Sequence, residues 1–75
     1  MALEIRKCQL RSIRRSAGLT QRQLCEKLRL YGIEVEPQYI SNLENNRGTP
    51  ASHILLKALS IIFERPMDDF YTYRW

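Results

Sequence analysis

Few residues of this chain could form cross-links or bind a metal. The 75-residue sequence contains two cysteines, Cys8 and Cys25, and one histidine, His53. Two thiols far apart in the sequence are too few for a disulfide framework, and one histidine still leaves a four-ligand metal site incomplete. The sequence therefore predicts reduced cysteines and no bound metal.

Long apolar runs are also absent. No stretch approaches the roughly 20 apolar residues that span a bilayer, and the N-terminus lacks the apolar region of a signal peptide. The sequence thus predicts no membrane partner and a cytoplasmic location.

Features typical of enzymes are missing as well. No nucleophile stands next to a base, no glycine-rich phosphate loop occurs and no carboxylates cluster. Neither catalysis nor a cofactor is expected.

The composition indicates one packed domain. Hydrophobic residues make up 44% of the chain and charged residues 27%, with only three glycines and three prolines. This balance is typical of a folded chain rather than a disordered one. A chain of this length has room for a single core, so we predict one domain over residues 1–75. Apolar residues recur at helical spacing and no segment shows a strand pattern, so the predicted class is all-α.

Positive charge is concentrated in the first two thirds of the chain. Residues 1–47 carry nine Lys and Arg against five Glu, a net charge of +4, whereas residues 48–75 carry three of each sign and sum to zero. An excess of positive charge favours a polyanionic partner such as nucleic acid. Charges on a solvated helix face would give the same pattern, so the asymmetry supports nucleic-acid binding without proving it.

Five helices are predicted from apolar spacing and capping residues. They span about residues 3–16, 21–30, 36–45, 50–64 and 67–71. Gly18 ends the first helix, and Thr20 with Gln23 forms a capping box at the start of the second. Pro37 and Pro50 suit the first turns of the third and fourth helices, where a missing amide hydrogen costs no hydrogen bond.

Several short motifs follow one another in a characteristic order. They are Leu10 and Arg14, Gly18-Leu19-Thr20-Gln21, Leu24, Ile40-Ser41-x-Leu43-Glu44, and Pro50. Each motif is weak alone, but together they make residues 10–70 resemble the lambda-repressor/Cro class of helix-turn-helix domains, the XRE-like regulators. The resemblance implies a compact five-helix bundle with its helix-turn-helix motif over about residues 20–46.

The chain departs from that class at three places. About five extra residues lie between Cys25 and Ile40, which predicts an extended turn between helices 2 and 3, made by a longer helix 2 or by a wider loop around Gly32. Cys25 stands where the class usually has alanine; a structural thiol is expected there, with redox sensing as the alternative. Asn46 stands where glycine is common and can adopt the same left-handed turn.

The resemblance implies that helix 3 lies in the major groove of double-stranded DNA, with helix 2 across the backbone. The implied base-reading residues are Gln38, Ser41, Asn42 and Tyr39. Gln38 is the main reader, because its amide can form a bidentate pair with adenine. Three roles stay open for Tyr39: contact with a thymine methyl, contact with a phosphate, or packing on a neighbouring helix.

The resemblance also implies a set of phosphate contacts. They are Gln21, Arg22, Arg15, Asn45 and Arg47. Gln21 lies at the N-terminus of helix 2, where amide hydrogens and the helix dipole favour an anion. The class counterparts of Arg14 and Glu44 pair with each other, so these two residues are expected to tie helix 1 to the end of helix 3.

Aromatic residues crowd the C-terminus, and they are Phe70, Tyr71, Tyr73 and Trp75. One or two of them must complete the core. The others either cover the monomer or form a homodimer contact, which would suit a palindromic operator.

The predicted function is sequence-specific binding of double-stranded DNA by a transcriptional regulator, with repression as the expected effect. A controller or antitoxin component of a self-regulated operon is a close alternative. A protein-interaction module built on the same fold is the alternative from another class, although a polar helix 3 disfavours it.

Overall fold

The computed structural model describes residues 2–75, which form four α-helices, one 3-10 helix and a two-stranded antiparallel sheet. In chain order the elements are β1 (Glu4–Cys8), α1 (Leu10–Ser16), α2 (Gln21–Arg29), α3 (Pro37–Glu44), α4 (His53–Phe63), the 3-10 helix (Met67–Phe70) and β2 (Tyr71–Arg74). The predicted all-α five-helix bundle is therefore right for the helical body and wrong for the two ends of the chain, which pair as a β-ribbon.

The first half of the predicted first helix is strand β1. Its residues pair with β2 in antiparallel register, with Ile5 opposite Tyr73 and Cys8 opposite Tyr71. The spacing of the apolar residues favoured a helix locally, but the backbone of β1 pairs instead with Tyr71–Arg74 at the other end of the chain. Helix α1 consequently begins only at Leu10.

The predictions for α2 and for the turn that follows it are confirmed. The Oγ1 of Thr20 accepts a hydrogen bond from the amide of Gln23 at 3.1 Å, and the Oε1 of Gln23 accepts one from the amide of Thr20 at 2.9 Å. α2 ends at Arg29, and residues 30–36 form the extended turn around Gly32, which has a φ of 78°. The insertion therefore enlarges the loop and leaves α2 at its predicted length.

Helix α4 starts later than predicted. Its N-cap is Ser52, whose hydroxyl accepts a hydrogen bond from the amide of Leu55 at 3.3 Å, so the predicted start at Pro50 is wrong. A serine hydroxyl can accept a hydrogen bond from a backbone amide that has no partner within the helix, whereas a proline only lacks such an amide. The helix therefore begins after Ser52. Helical spacing in this segment predicts that Ile54 lies on the buried face together with Leu55, Ala58 and Leu59, but Ile54 is 67% exposed.

The core lies between the helices and the inner end of the β-ribbon. Its buried apolar residues are Cys8, Leu10, Ile13, Leu24, Cys25, Leu28, Ile40, Leu43, Leu55, Ala58, Leu59, Phe70 and Tyr71. Burial of the Cys25 thiol fits its predicted structural role, and burial, followed by the nearby Glu36 charge, raises the pKa of that thiol. The hydroxyl oxygen of Tyr71 accepts a hydrogen bond from the amide of Ala51 at 2.9 Å. Phe70 and Tyr71 are therefore the two C-terminal aromatics that complete the core.

Candidate nucleic-acid interface

Helix α3 exposes a polar face. Ile40 and Leu43 are buried, which leaves Gln38 exposed and Ser41 and Asn42 half-buried on the outer side. Within residues 2–75, the large apolar side chains that are exposed all lie outside α3. The outer face of this helix therefore suits a polar partner better than an apolar groove.

Two of the predicted base-reading residues are bonded to each other. The Nε2 of Gln38 donates to the Oδ1 of Asn42 at 3.1 Å, one helical turn further on. This bond orients both amides and uses one donor of Gln38 and the carbonyl oxygen of Asn42. The Oε1 of Gln38 can still accept, and both residues still have N–H groups to donate, so the pair presents an acceptor beside donors.

Tyr39 is half-buried and packs against the core. This packing matches one of the three roles left open for Tyr39, and its contact with a thymine methyl or a phosphate stays a prediction. Its ring lies beside the extended turn, where it shares a shallow depression with Arg29 and Val35. Tyr39 thus links the extended turn to α3.

The carboxylate of Glu44 joins three helices at the end of α3. Its Oε2 accepts from the Nε of Arg14 at 2.7 Å, and its Oε1 accepts from the Nη2 of Arg14 at 3.3 Å and from the Nε2 of Gln21 at 3.1 Å. The Glu44 side chain is 0% exposed and that of Arg14 is 9% exposed. The predicted tie between α1 and the end of α3 is confirmed, and it includes α2 as well.

The surroundings of Glu44 make protein stability depend on pH. Burial alone would raise the pKa of the Glu44 carboxyl, but the hydrogen bonds from Arg14 and Gln21 and the charge of Arg14 outweigh it, so the pKa lies below the usual 4.5. A carboxyl with a lowered folded-state pKa stabilises the protein above its unfolded-state pKa. That contribution disappears as the pH falls through the lower, folded-state pKa.

We therefore expect the free energy of unfolding to decrease as the pH falls below about 4.5. Urea unfolding at a series of pH values from 7 to 3 measures this decrease. In Glu44→Gln, which cannot ionise at this position, the decrease should be smaller. Equal decreases in the two proteins would show that Glu44 is not the responsible group.

Three predicted phosphate contacts lie near the start of α2. Arg15 and Arg22 are exposed, and together with Gln21 they line a shallow groove that also reaches Pro37, the first residue of α3. The side chain of Gln21 is partly committed, because it donates to Glu44. The side-chain carbonyl oxygen of Gln21 and the first backbone amides of α2 take no part in this hydrogen bond.

The other two predicted phosphate contacts follow the end of α3. Asn45 and Arg47 are both exposed. The Nδ2 of Asn45 donates to the carbonyl oxygen of Ser41 at 2.8 Å, which fixes its side chain. Asn46 adopts the predicted left-handed conformation, with a φ of 56°. Arg47 follows this turn, and its backbone amide donates to the carbonyl oxygen of Asn42 at 2.8 Å.

Arg11 also belongs to this surface and was not predicted. Its Nη2 donates to the Oδ1 of Asn45 at 2.8 Å and its Nε to the Oε1 of Glu44 at 3.5 Å, while the side chain remains 41% exposed. Helical spacing carries the signal that was overlooked, because Arg11 precedes Arg14 and Arg15 by three and four residues and shares their side of α1.

Comparison with known proteins assigns this chain to a family. A helix-turn-helix family model matches residues 10–70, which is most of the chain. The chain belongs to the Cro/C1-type helix-turn-helix family. No curated protein and no solved structure matches it at a significant level.

The helix-turn-helix family comprises DNA-binding transcriptional regulators. Its two defining helices are α2 and α3 in this helix-turn-helix protein. The matched region contains all four α-helices but begins after β1 and ends before β2. Both strands of the β-ribbon therefore lie outside the matched residues. The longest α-helix described within residues 2–75 has 11 residues, which is too short to span a membrane.

Proposed function

We propose that this protein recognises a specific sequence in double-stranded DNA by placing α3 in the major groove. The observation that carries the proposal is the polar outer face of α3, on which Gln38 and Asn42 are held together by a hydrogen bond of 3.1 Å. An α-helix fits the major groove, where the edge of each base pair presents a distinct pattern of donors and acceptors. The free acceptor and donors of this amide pair match such an edge.

The proposed base readers are Gln38, Asn42 and Ser41, in order of importance. Gln38 is the most exposed of the three and lies in the first turn of α3, the end that helix-turn-helix proteins direct toward base edges. Pro37 has no side-chain donor or acceptor, so it offers apolar contact alone. Tyr39 is half-buried against the core, so we rank it as a base reader below these three.

The proposed phosphate contacts flank α3 on both sides. On one side, next to the first turn of α3, a groove that includes Pro37 is lined by Arg15, Gln21 and Arg22. Asn45 and Arg47 lie beyond its last turn, and Arg11 holds Asn45 in place. Because the Glu44 side chain between these groups is fully buried and paired with Arg14, its negative charge does not oppose the approach of phosphate.

We further propose that binding represses transcription by occupying an operator, and that the protein acts in the cytoplasm. Control of its own operon, as in controller or antitoxin proteins, would use the same contacts. One α3 helix reads a single half-site, so we propose that two copies bind a palindromic operator.

Selection of bound sites from a random duplex DNA pool tests the proposal. With the purified protein at low and at moderate salt, we expect a sequence to be enriched at both salt concentrations. Base contacts survive the added salt, whereas non-specific binding through phosphates weakens steeply. Binding that is only non-specific and disappears at moderate salt would reject sequence-specific recognition.

A further inference from the structure

Glu36 occupies the N-cap position of α3, at the end of the extended turn. Its backbone is extended, with a φ of −95° and a ψ of 156°, and Pro37 follows as the first helical residue. The residue is exposed. Helix-turn-helix proteins direct this end of the reading helix toward base edges. The Glu36 carboxylate therefore lies at the leading end of α3, two residues before Gln38.

The Glu36 side chain does not cap its own helix. At the starts of α2 and α4, the hydroxyls of Thr20 and Ser52 each accept a hydrogen bond from the backbone amide three residues further on. Glu36 accepts no such bond, and glutamate is not among the residues favoured at the N-cap. Gln9, the N-cap of α1, lacks a side-chain cap as well, but its backbone amide donates to the carbonyl oxygen of Phe70. Helix stability therefore does not explain a glutamate at the start of α3.

The Glu36 carboxylate also has no ion pair. Every salt bridge described within residues 2–75 uses another acid, namely Glu4, Glu44 or Asp69. The charged residues that line the two shallow depressions around Glu36 are Arg22, Glu26, Arg29 and Glu34. All four are exposed, and with Glu36 they make three carboxylates against two guanidinium groups. The Glu36 oxygens are therefore available to a donor from outside the chain.

A carboxylate beside DNA favours sequences that offer it a donor. The phosphates repel it, so it weakens binding unless a base compensates through a hydrogen bond. In the major groove the donors are the N4 amino group of cytosine and the N6 amino group of adenine. The adenine donor lies between two acceptors, N7 of adenine and O4 of thymine, whereas the cytosine donor has one acceptor beside it, O6 of guanine. A negatively charged side chain with two acceptor oxygens thus fits cytosine better.

We propose that Glu36 determines specificity by accepting a hydrogen bond from N4 of a cytosine in the major groove. The inference rests on the proposed function, because it requires α3 to lie in the groove, and it adds a base contact outside the Gln38–Asn42 pair. Two residues of extended chain span at most about 7 Å, and successive bases are about 3.4 Å apart along a strand. The cytosine therefore lies within about three base pairs of the position that Gln38 reads.

Selection from a random duplex DNA pool with the wild type, Glu36→Gln and Gln38→Ala tests the proposal. The wild type should enrich cytosine at one position near the position that loses its preference in Gln38→Ala. An amide at residue 36 both donates and accepts, as a bidentate pair with adenine requires. In Glu36→Gln the preference at the first position should therefore move from cytosine to adenine. Cytosine should lose at least about fivefold of its enrichment there, and the other positions should keep theirs.

Glu34→Gln is the matched control, because Glu34 is an exposed carboxylate that lines one of the same depressions. Both variants remove one negative charge, so both should bind non-specific duplex slightly more tightly. Only Glu36→Gln should change the selected sequence, which separates base reading from general repulsion.

Glu36→Ser separates reading from folding. A serine hydroxyl can cap α3, so the thermal unfolding midpoint should rise. The side chain is too short to replace the carboxylate at the base, so the preference for cytosine should be lost in this more stable protein.

Two outcomes would overturn the inference and leave the proposed function standing. One is a selected site that depends on Gln38 but is unchanged in Glu36→Gln. The other is loss of the same cytosine in Glu34→Gln, which would show that the charge of the depression acts rather than a contact from Glu36. A wild type that enriches no sequence at all would instead reject the proposed function, and the role of Glu36 with it.

Discussion

Replacing Glu44 with alanine should lower the free energy of unfolding by about 3–5 kcal/mol, because the buried Arg14 guanidinium would lose its counter-ion. The Glu44 carboxylate is fully buried and accepts from Arg14 at 2.7 Å. A domain of 75 residues has a total stability on the order of 4–11 kcal/mol, so the loss would be a large fraction of it. Urea unfolding followed by circular dichroism at pH 7 measures the change.

The Arg65–Asp69 pair provides the matched control, since both of its side chains are more than 40% exposed and their closest atoms are 3.5 Å apart. Asp69→Ala should change the stability by less than about 1 kcal/mol. The double variant Arg14→Met/Glu44→Leu removes both charges and should recover much of the stability that Glu44→Ala loses. A loss in Glu44→Ala as small as that in Asp69→Ala would contradict the assigned role of the buried pair.

Glu44 also connects stability to the proposed DNA contacts. Gln21 and Arg11 both donate to its Oε1, and Arg11 in turn donates to Asn45. One buried carboxylate thus positions a residue on each side of α3. This connection gives a physical reason for an amide at position 21, where a hydrocarbon side chain would leave the Glu44 oxygen with one donor fewer.

Helices α2 and α3 were predictable because their signals are local. The capping box at Thr20 lies within four residues, and Pro37 determines its own backbone angle regardless of distant contacts. The start of α4 was mispredicted for a related reason. Two local signals, Pro50 and Ser52, compete within three residues, and the cap hydrogen bond from Leu55 to Ser52 decides between them.

The β-ribbon could not be predicted in the same way. Strand β1 includes Glu4, Arg6 and Lys7, which do not favour a strand by themselves. Its pairing with Tyr71–Arg74 depends on the helical body bringing the chain ends together. The alternating sequence of β2, with two tyrosines around Thr72, did contain a strand signal. The sequence analysis missed that signal, because alternation over only four residues is too short to distinguish a strand from a chain end.

The candidate site was predictable to the extent that it lies on one helix. Helical periodicity alone separates the buried Ile40 and Leu43 from the outer face with Gln38 and Asn42. Helical spacing groups Arg11 with Arg14 and Arg15, but it does not show the contact with Asn45, which lies 34 residues later in the chain. Spacing on one helix identifies which residues share a face, but contacts between helices determine which face is used.

Replacing Gln38 with alanine should relax base preference without abolishing binding. If α3 reads bases as proposed, losing one bidentate amide contact should cost about 1–3 kcal/mol of discrimination at a single position of the selected site. The change also releases Asn42 from its hydrogen bond with Gln38, so the neighbouring base preference should weaken as well. Fluorescence anisotropy with the selected duplex and with single-base variants measures both effects.

Arg47→Ala is the matched comparison, because Arg47 is exposed beyond the last turn of α3 and is proposed to contact phosphate. It should weaken binding to all sequences alike and lower the slope of log affinity against log salt by roughly one unit. The Gln38 variant should leave that slope unchanged, so the two variants separate base reading from charge neutralisation. If both proteins bind the selected site like the wild type, α3 is not the reading helix, and the basic surface around it must serve another partner.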